Sequence, residues 1–497
     1  MQSVRPSKMP SKVNVAAYGH DGHDSINNNN SNNNNDNDND TNNNTNDRPG
    51  QHRICGRRRR RALLRQSLLR RWQPLSPHDT PTLGSFSQVR VEGHSAEPVA
   101  VQPVLLEFLT GAMELTVRLS RLLRYAVVFA WSLLCLMAYV GLLLPAFLRL
   151  GWQYFHDSRI RRGLRYGAQP RNFLDLYCPP EAQAAAAGAG PPVPVVVAVM
   201  GGAWVIGHRL WNVQLASRLA EAGVLVVAVD YRNYPMGELP EMVEDVSQGM
   251  DWVFANIASY GGDPNNVVMV GQSAGAHISS MLLLQRALEE VSEVKQACGK
   301  DLEQDNNNIN NNNDNDNNNN NGHLAHRWSV SDLKGYLGMS GVYDLAALEL
   351  HMESIGVYPF LSSFCEGGDL IASSPTHQLQ SASWRGVLGA RAAARMPPVH
   401  LFHGQADTSV PTSSTLCFAE NLRAVGVRSV KAELRPGVTH SEPIIEGPLG
   451  GYHYQVQLLL PYLLGHKGAK ERLNAMPKAE PMVPASVLRL AAMLMPF

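Results

Sequence analysis

Ser273 is the residue whose surroundings point most directly to covalent chemistry. It stands in the run GQSAG at 271–275, which follows the apolar residues 267–270 and precedes the largely apolar stretch 276–284. This G-x-S-x-G motif lies between a predicted strand and a predicted helix, the context in which such a serine acts as a nucleophile. The flanking glycines remove the Cβ atoms that would collide in so sharp a turn. We therefore predict a nucleophile at position 273.

A nucleophilic serine needs a general base and a group that orients that base. Asp407 comes after the predicted buried strand 397–402, and His440 comes after the next predicted strand, 429–434. A loop that follows a strand is where the triad acid belongs, and the order Ser, Asp, His is that of the α/β-hydrolases. We predict that Ser273, Asp407 and His440 form a catalytic triad.

Asp344 and His403 compete for the roles of acid and base. Asp344 follows the preceding predicted strand, and we interpret it as the N-cap of a helix. His403 is interpreted as part of the turn at the end of strand 397–402. Neither residue is assigned to the predicted triad.

The oxyanion hole is predicted in the loop that follows the apolar strand 193–199, where the sequence reads MGGAW. Two glycines in this loop let backbone N–H groups approach a developing negative charge without obstruction from side chains. The amide directly after the nucleophile completes such a site. The predicted donors are the amides of Gly201, Gly202 and Ala274, and the alternative is an ordinary Gly-Gly turn.

Several motifs together resemble one family of esterases. The sequences GGAW at 201–204 and DYRNYP at 230–235 resemble the hormone-sensitive-lipase-like α/β-hydrolases. The run NIASYGGDP at 256–264, followed by GQSAGAH at 271–277, resembles the isoprenylcysteine α-carbonyl methylesterases. This resemblance implies a serine esterase that hydrolyses the methyl ester on the C-terminal prenylcysteine of lipidated proteins. The sequence contains no P-loop, no dinucleotide fingerprint and no zinc-ligand spacing, so no cofactor and no metal are expected.

The resemblance is strong over residues 160–285 and looser over 333–465, and it has two departures. Met200 stands where many relatives in the wider group carry a histidine, which affects the shape of the oxyanion loop but not its backbone donors. Ser441 follows His440 in place of the family residues. A general carboxylesterase or lipase, an arylformamidase-like amidase and a non-catalytic hydrolase-fold receptor remain alternatives.

The order of predicted elements indicates an α/β-hydrolase domain at 160–470. Strand and helix patterns alternate there, which is typical of a mainly parallel, doubly wound sheet. Residues 351–395 are expected to form a lid whose apolar side chains line an acyl or prenyl site or belong to the core. The predicted strands are 193–199, 224–230, 266–270, 333–339, 397–402 and 429–434.

Polar, low-complexity segments flank and interrupt this domain. Residues 1–100 contain an Asn-rich tract and an arginine block, and a composition of this kind predicts disorder. The Asn-rich insert 306–321 falls between a helix and a strand, at the sheet edge opposite the active site, so it is expected to be harmless. Residues 471–497 are expected to form a C-terminal tail. The formal net charge is zero, so the sequence does not indicate binding to nucleic acid.

Residues 125–148 predict a transmembrane helix within a membrane anchor at 101–150. The stretch holds 24 residues without a charge and lies between Arg124 and Arg149. Within about 20 residues of the stretch, five arginines follow it and three precede it, which favours a cytoplasmic hydrolase domain. The expected location is a single-pass protein of the endoplasmic reticulum or Golgi, with membrane lipid and prenylated protein or prenylcysteine methyl ester as partners.

Overall fold

The computed structural model describes residues 101–307 and 328–495. The predicted disordered region 1–100 and most of the predicted insert 306–321 lie outside these described residues.

Eight strands form one sheet at the centre of the hydrolase domain. Their bounds are β1 (Ile160–Arg165), β2 (Phe173–Tyr177), β3 (Val193–Val199), β4 (Leu225–Val229), β5 (Gly262–Gln272), β6 (Leu333–Met339), β7 (Val399–Gly404) and β8 (Val430–Arg435). The strand order is β1-β2-β4-β3-β5-β6-β7-β8. Strand β2 is antiparallel to β1 and to β4, and every pairing among β3 to β8 is parallel.

The α/β-hydrolase fold class predicted from the sequence is confirmed, and all six predicted strands are present as β3 to β8. Strand β5 is longer than predicted at both ends. Strands β1 and β2 were not predicted. The first reads IRRGLR and exposes most of its residues at the sheet edge, and the second has five residues around a buried aspartate. Neither contains the apolar run that marks a buried strand.

Helices cover both faces of the sheet. Strand β3 shows the division, because its alternate residues point to opposite faces. Val195, Val197 and Val199 belong to one hydrophobic core, and Val196 and Ala198 belong to the other. The helices are α1 (Val101–His156), α2 (Pro180–Ala186), α3 (Val213–Glu221), α4 (Leu239–Asn256), α5 (Ala274–Asn307), α6 (Leu345–Ile355), α7 (Pro375–Gln378), α8 (Ala382–Arg385), α9 (Val387–Arg395), α10 (Thr412–Ala424), α11 (Glu446–Leu449), α12 (Tyr454–Ala475) and α13 (Ala485–Leu494).

Helix α1 contains the predicted transmembrane stretch and is much longer than that stretch, with 56 residues. Residues Glu107–His156 have the length and composition needed to cross a membrane. One narrow stripe of the helix is buried against the hydrolase domain, with the helical spacing of a packed face. Its members are Tyr139, Leu143, Ala146, Leu150 and Tyr154. Many of the large apolar residues elsewhere on α1 are exposed, among them Phe129, Trp131, Met137, Leu148 and Trp152.

The predicted lid, 351–395, folds into short helical segments over the sheet. Its apolar residues divide into two groups. Leu361 and Phe364 are fully buried in the core, whereas Ile355 and Tyr358 are 45% and 60% exposed. The expected tail also has structure, because α12 extends to Ala475 and α13 packs against α1.

Candidate active site

The turn between β5 and α5 holds Ser273 in a strained backbone conformation. Its φ is +52°, a value that non-glycine residues rarely adopt. A Cβ at Gly271 would collide with the backbone of Ala276, and one at Gly275 would collide with the carbonyl group of Val199. The two glycines of the motif are therefore required by close backbone approaches on either side of the serine.

Ser273, His440 and Asp407 form a hydrogen-bonded chain. The Nε2 atom of His440 lies 3.0 Å from Ser273 Oγ, and its Nδ1 atom lies 2.7 Å from Asp407 Oδ2. An ionised carboxylate only accepts hydrogen bonds, so Nδ1 carries the proton and Nε2 is left to accept from the serine hydroxyl. The structure thus brings together the three residues predicted from the sequence, in the geometry of a serine nucleophile and its base.

Backbone and side-chain donors surround Asp407. Its Oδ1 atom accepts hydrogen bonds from the amides of Ser409 and Val410, both at 2.9 Å. Burial acts to raise the pKa of this carboxyl, but hydrogen bonds from His403 and His440 outweigh it and hold the pKa well below its usual range. Asp407 therefore stays ionised at neutral pH and orients the imidazole of His440.

His403 contacts the acid directly, which the sequence interpretation did not foresee. It lies within β7 rather than in the turn after the strand, so that placement was wrong. Its Nε2 atom is 3.0 Å from both Asp407 Oδ2 and the Val410 carbonyl oxygen, and its Nδ1 atom is 2.6 Å from Thr415 Oγ1. Both facing groups on the Nε2 side are acceptors, so Nε2 donates. The available signal was the spacing of His403 and Asp407, four residues apart across a strand end.

Asp344, the competing acid, is the N-cap of α6, as the sequence indicated. Its Oδ1 atom accepts a 2.9 Å hydrogen bond from the amide of Ala347 and lies 3.3 Å from His377 Nε2. The first contact caps α6 and the second joins it to α7, and neither belongs to the chain that includes Ser273.

The Gly-Gly loop lies directly beside the nucleophile. A Cβ at Gly201 would be 2.8 Å from the Cβ of Ser273, so only glycine fits there. Within the described part of the chain, the amides of Gly201, Gly202 and Ala274 donate no hydrogen bond. The amide of Ala203, whose φ is +50°, shares this property and was missed by the sequence interpretation. These amides are the candidate donors to an oxyanion.

The DYRNYP motif holds this loop in place. Tyr231 Oη donates to the carbonyl oxygen of Met200 at 3.0 Å, and Asn233 Nδ2 donates to that of Gly207 at 2.9 Å. The amide of Tyr234 donates to the Trp204 carbonyl oxygen at 2.8 Å. The motif therefore acts by fixing the backbone of the oxyanion loop, and Met200 contributes through its carbonyl group.

Trp204 and His277 join the Gly-Gly loop to α5 and to the predicted lid. Trp204 Nε1 donates to His277 Nδ1 at 3.2 Å, so His277 Nε2 carries the proton and donates to the Ser373 carbonyl oxygen at 2.8 Å. Burial lowers the pKa of His277 to about 4, which keeps this ring neutral. On its other side the Trp204 ring stacks on Phe364, with ring centroids 4.9 Å apart.

Among the described residues, no group of three or more His, Cys, Asp or Glu side chains is arranged to hold a metal ion. A cavity of about 970 Å³ lies beside α4 and the amino ends of β5 and β6, where Trp252, Pro264 and Lys334 line it. Ser273 follows the carboxyl end of β5, so this cavity is not the site of the triad.

Known proteins are similar to this chain. The BD-FAE family model matches residues 174–349. A probable isoprenylcysteine alpha-carbonyl methylesterase of Arabidopsis thaliana is 36% identical over 371 residues, which cover 73% of this chain and 77% of that protein. The isoprenylcysteine alpha-carbonyl methylesterase of the same plant is 37% identical over 336 residues, with coverages of 67% and 69%. Esterase B of Lactobacillus rhamnosis, a crystal structure, is 17% identical, with coverages of 70% and 98% and a TM-score of 0.43.

The fold, the site and these relatives define a carboxylester hydrolase of the α/β-hydrolase class. Identity above 30% over about two thirds or more of both chains further shows that the protein belongs to the isoprenylcysteine α-carbonyl methylesterase family.

Proposed function

We propose that this protein is a membrane-anchored serine esterase that removes the methyl group from C-terminal prenylcysteine methyl esters. The observation that carries the serine mechanism is the hydrogen-bonded chain from Ser273 Oγ through His440 to Asp407. The substrate class rests on the family, because the relatives are named for the isoprenylcysteine methyl ester.

In the proposed reaction, Ser273 Oγ attacks the ester carbonyl carbon while His440 Nε2 takes the hydroxyl proton. The tetrahedral oxyanion accepts hydrogen bonds from the amides of Gly201, Gly202 and Ala274. His440 then gives its proton to the departing methanol. Water attacks the acyl-enzyme by the same route and releases the free prenylcysteine carboxylate.

The surroundings of the oxyanion loop suit an apolar substrate group. Trp204 on that loop stacks on Phe364 of the lid, and the Phe360 ring lies 6.1 Å from Phe364. Phe360 is only partly buried. Trp204 and Phe364 are buried, so Phe360 is the ring of this cluster that a prenyl chain can contact, with burial of apolar area as the gain.

Labelling and hydrolysis assays test this function. A fluorophosphonate probe is expected to label the wild type and not Ser273→Ala, since labelling requires an activated serine. Prenylcysteine methyl ester is expected to be hydrolysed with a higher kcat/KM than short-chain p-nitrophenyl esters. The reverse preference would identify a general carboxylesterase or lipase, and preferential cleavage of arylformamides would identify an amidase. Absence of labelling in the folded wild type would instead favour a non-catalytic receptor.

We further propose that α1 anchors the enzyme in the membrane of the endoplasmic reticulum or Golgi, with the hydrolase domain on the cytoplasmic side. The charge-free stretch 125–148 and the exposed apolar surface of α1 support the anchor. The excess of arginines on the C-terminal side of this stretch supports the orientation. Because a stripe of α1 packs on the hydrolase domain, that stripe faces the domain, and the exposed apolar residues of the helix face the lipid.

The membrane proposal has its own test. Protease added to intact microsomes is expected to digest the hydrolase domain, and carbonate is expected not to extract the undigested protein. A hydrolase domain that is protected until detergent is added would reverse the proposed orientation and argue against prenylated cytoplasmic proteins as substrates.

A further inference from the structure

Glu446 is a buried carboxyl group that the proposed reaction does not use. Its Oε1 atom accepts a 2.9 Å hydrogen bond from the hydroxyl of Ser441, the residue next to His440. The same oxygen accepts a 2.8 Å hydrogen bond from the hydroxyl of Tyr139, which lies in α1. One carboxylate oxygen thus joins the loop that carries His440 to the apolar helix.

The loop around His440 depends on contacts of this kind. His440 lies in neither a strand nor a helix, between the end of β8 and the start of α11. Before His440, the carbonyl oxygen of Val438 accepts a 3.0 Å hydrogen bond from the amide of Ala406. After it, the Ser441 hydroxyl bonds to Glu446, and the Ser441 carbonyl oxygen accepts from the amides of the following turn. A shift of the loop would lengthen the bonds of His440 to its partners.

The buried carboxyl group of Glu446 is stabilised by the two hydroxyl groups that donate to it. Burial raises the pKa of this carboxyl, and the hydrogen bonds from Tyr139 and Ser441 oppose that effect. A buried carboxyl that loses a donor carries a desolvation cost that is no longer offset. Loss of one donor is therefore expected to make the segment from Ser441 to Glu446 rearrange.

Helix α1 also contacts the other side of the site. Arg124 Nη2 donates to the Ser354 carbonyl oxygen at 2.9 Å, and the ring of Tyr125 meets that of Tyr358 edge-on, with centroids 5.7 Å apart. Residues 354 and 358 belong to the predicted lid. One helix therefore contacts both the lid and the segment that follows His440.

We propose that Tyr139, Glu446 and Ser441 are positioning residues that hold His440 in reach of Ser273. Tyr139 fixes the Glu446 carboxyl, Glu446 fixes the Ser441 hydroxyl, and Ser441 fixes the backbone next to His440. The inference rests on the proposed role of His440 as general base. It makes the apolar helix part of the active site and not only an anchor.

The test uses the full-length protein in detergent with p-nitrophenyl acetate as substrate. Tyr139→Phe removes one hydroxyl, and we expect kcat to fall on the order of tenfold with KM within about twofold, because the base is misplaced while the binding surface is kept. The rate of fluorophosphonate labelling is expected to fall in parallel. Ser441→Ala is expected to lower kcat to a similar extent. In the double variant, kcat is expected to fall by less than the product of the two single fold-changes.

Two further variants of Glu446 separate positioning from packing. Glu446→Leu removes the acceptor and is expected to lower kcat more than Tyr139→Phe does. Glu446→Gln keeps an acceptor oxygen and is expected to restore most of the activity lost in Glu446→Leu.

Tyr154→Phe is the matched control. Tyr154 lies on the same helix and also donates to a buried carboxylate, at 2.7 Å from Asp175 Oδ2, but that carboxylate is on β2. We expect this variant to lower Tm and to leave kcat unchanged.

Three results would overturn the inference: a kcat for Tyr139→Phe within twofold of the wild type, a change in KM alone, or full activity in Ser441→Ala if Tyr139→Phe does not fold. These outcomes are independent of the natural substrate. Failure of the proposed function would appear differently, as activity that persists in Ser273→Ala or as no cleavage of prenylcysteine methyl ester.

Discussion

The two sides of the active site are held by different kinds of contact. Ser273 is positioned by the backbone, since its turn is enclosed by β5, α5 and the end of β3, and its amide donates to the Met339 carbonyl oxygen on β6 at 2.9 Å. His440 is held by side-chain contacts. Asp407 contacts its ring, Glu446 contacts the neighbouring Ser441, and Tyr139 from the distant helix α1 contacts Glu446. The nucleophile side is therefore held by backbone contacts with neighbouring strands, and the base side by side-chain contacts that single substitutions can weaken.

The largest expected effect comes from substitution of the nucleophile or the base, one from each side of the site. Ser273→Ala and His440→Ala are each expected to lower kcat by about 10⁵- to 10⁶-fold, and the double variant to be little worse, because nucleophile and base act as one unit. Steady-state kinetics with the prenylcysteine and p-nitrophenyl esters measures these losses. Losses that add in the double variant would show that the two sides act separately.

Asp407→Asn tests the base side alone. The amide keeps the shape of the carboxyl but cannot accept the Nδ1 proton of His440 in the same way, so the wrong tautomer is favoured and kcat falls about 10⁴-fold. Asp344→Asn serves as the matched control, since its carboxyl caps α6. Near-normal activity of Asp407→Asn together with a large loss in Asp344→Asn would exchange the two assignments.

The pH dependence of stability tests the nucleophile side, because His277 is buried in the helix that follows Ser273. Its folded-state pKa of about 4 lies below the ordinary value of 6.5, so between these pH values the unfolded chain binds a proton that the folded chain does not. His277 therefore makes a contribution to the free energy of unfolding that is complete above pH 6.5. This contribution decreases as the pH falls toward 4, by about 3 kcal/mol. Thermal unfolding across this range measures the effect.

Two substitutions isolate the contribution of this histidine. His277→Asn is expected to flatten the decrease in Tm between pH 6.5 and 4, and His466→Asn, at an exposed position, is expected to leave it as in the wild type. Equal pH dependence in all three proteins would contradict a buried, neutral His277.

The smallest expected effect comes from excision of residues 306–321. In the sequence this segment connects α5 to β6, and in a doubly wound sheet a helix-to-strand connection is expected away from the active site, so kcat/KM is expected to stay within a few-fold. A collapse of activity in a protein with a normal Tm would mean that the nucleophile side depends on more than its local backbone.

The prediction from sequence was best where structure is set by neighbouring residues. Strands β3 to β7 contain apolar residues in runs, β8 alternates between apolar and charged residues, and the turn at Ser273 needs its glycines for steric reasons that any chain would share. Strands β1 and β2 were not predicted, because the charged residues of β1 and the buried aspartate of β2 interrupt the apolar pattern of a strand. The long apolar stretch of α1 was also predicted from the sequence. Its buried stripe was not, because the stripe is defined by packing against the hydrolase domain.

By itself, the sequence determined the fold class, the order of Ser273, Asp407 and His440, and the glycines of the loop after β3, because short motifs and the alternation of strand and helix patterns carry this information. Only the tertiary structure decided that His403 contacts Asp407, that Tyr231 and Asn233 hold the oxyanion loop, and that Tyr139 reaches Glu446. These contacts join residues on different elements, and the packing of those elements is a property of the whole domain that no local pattern records.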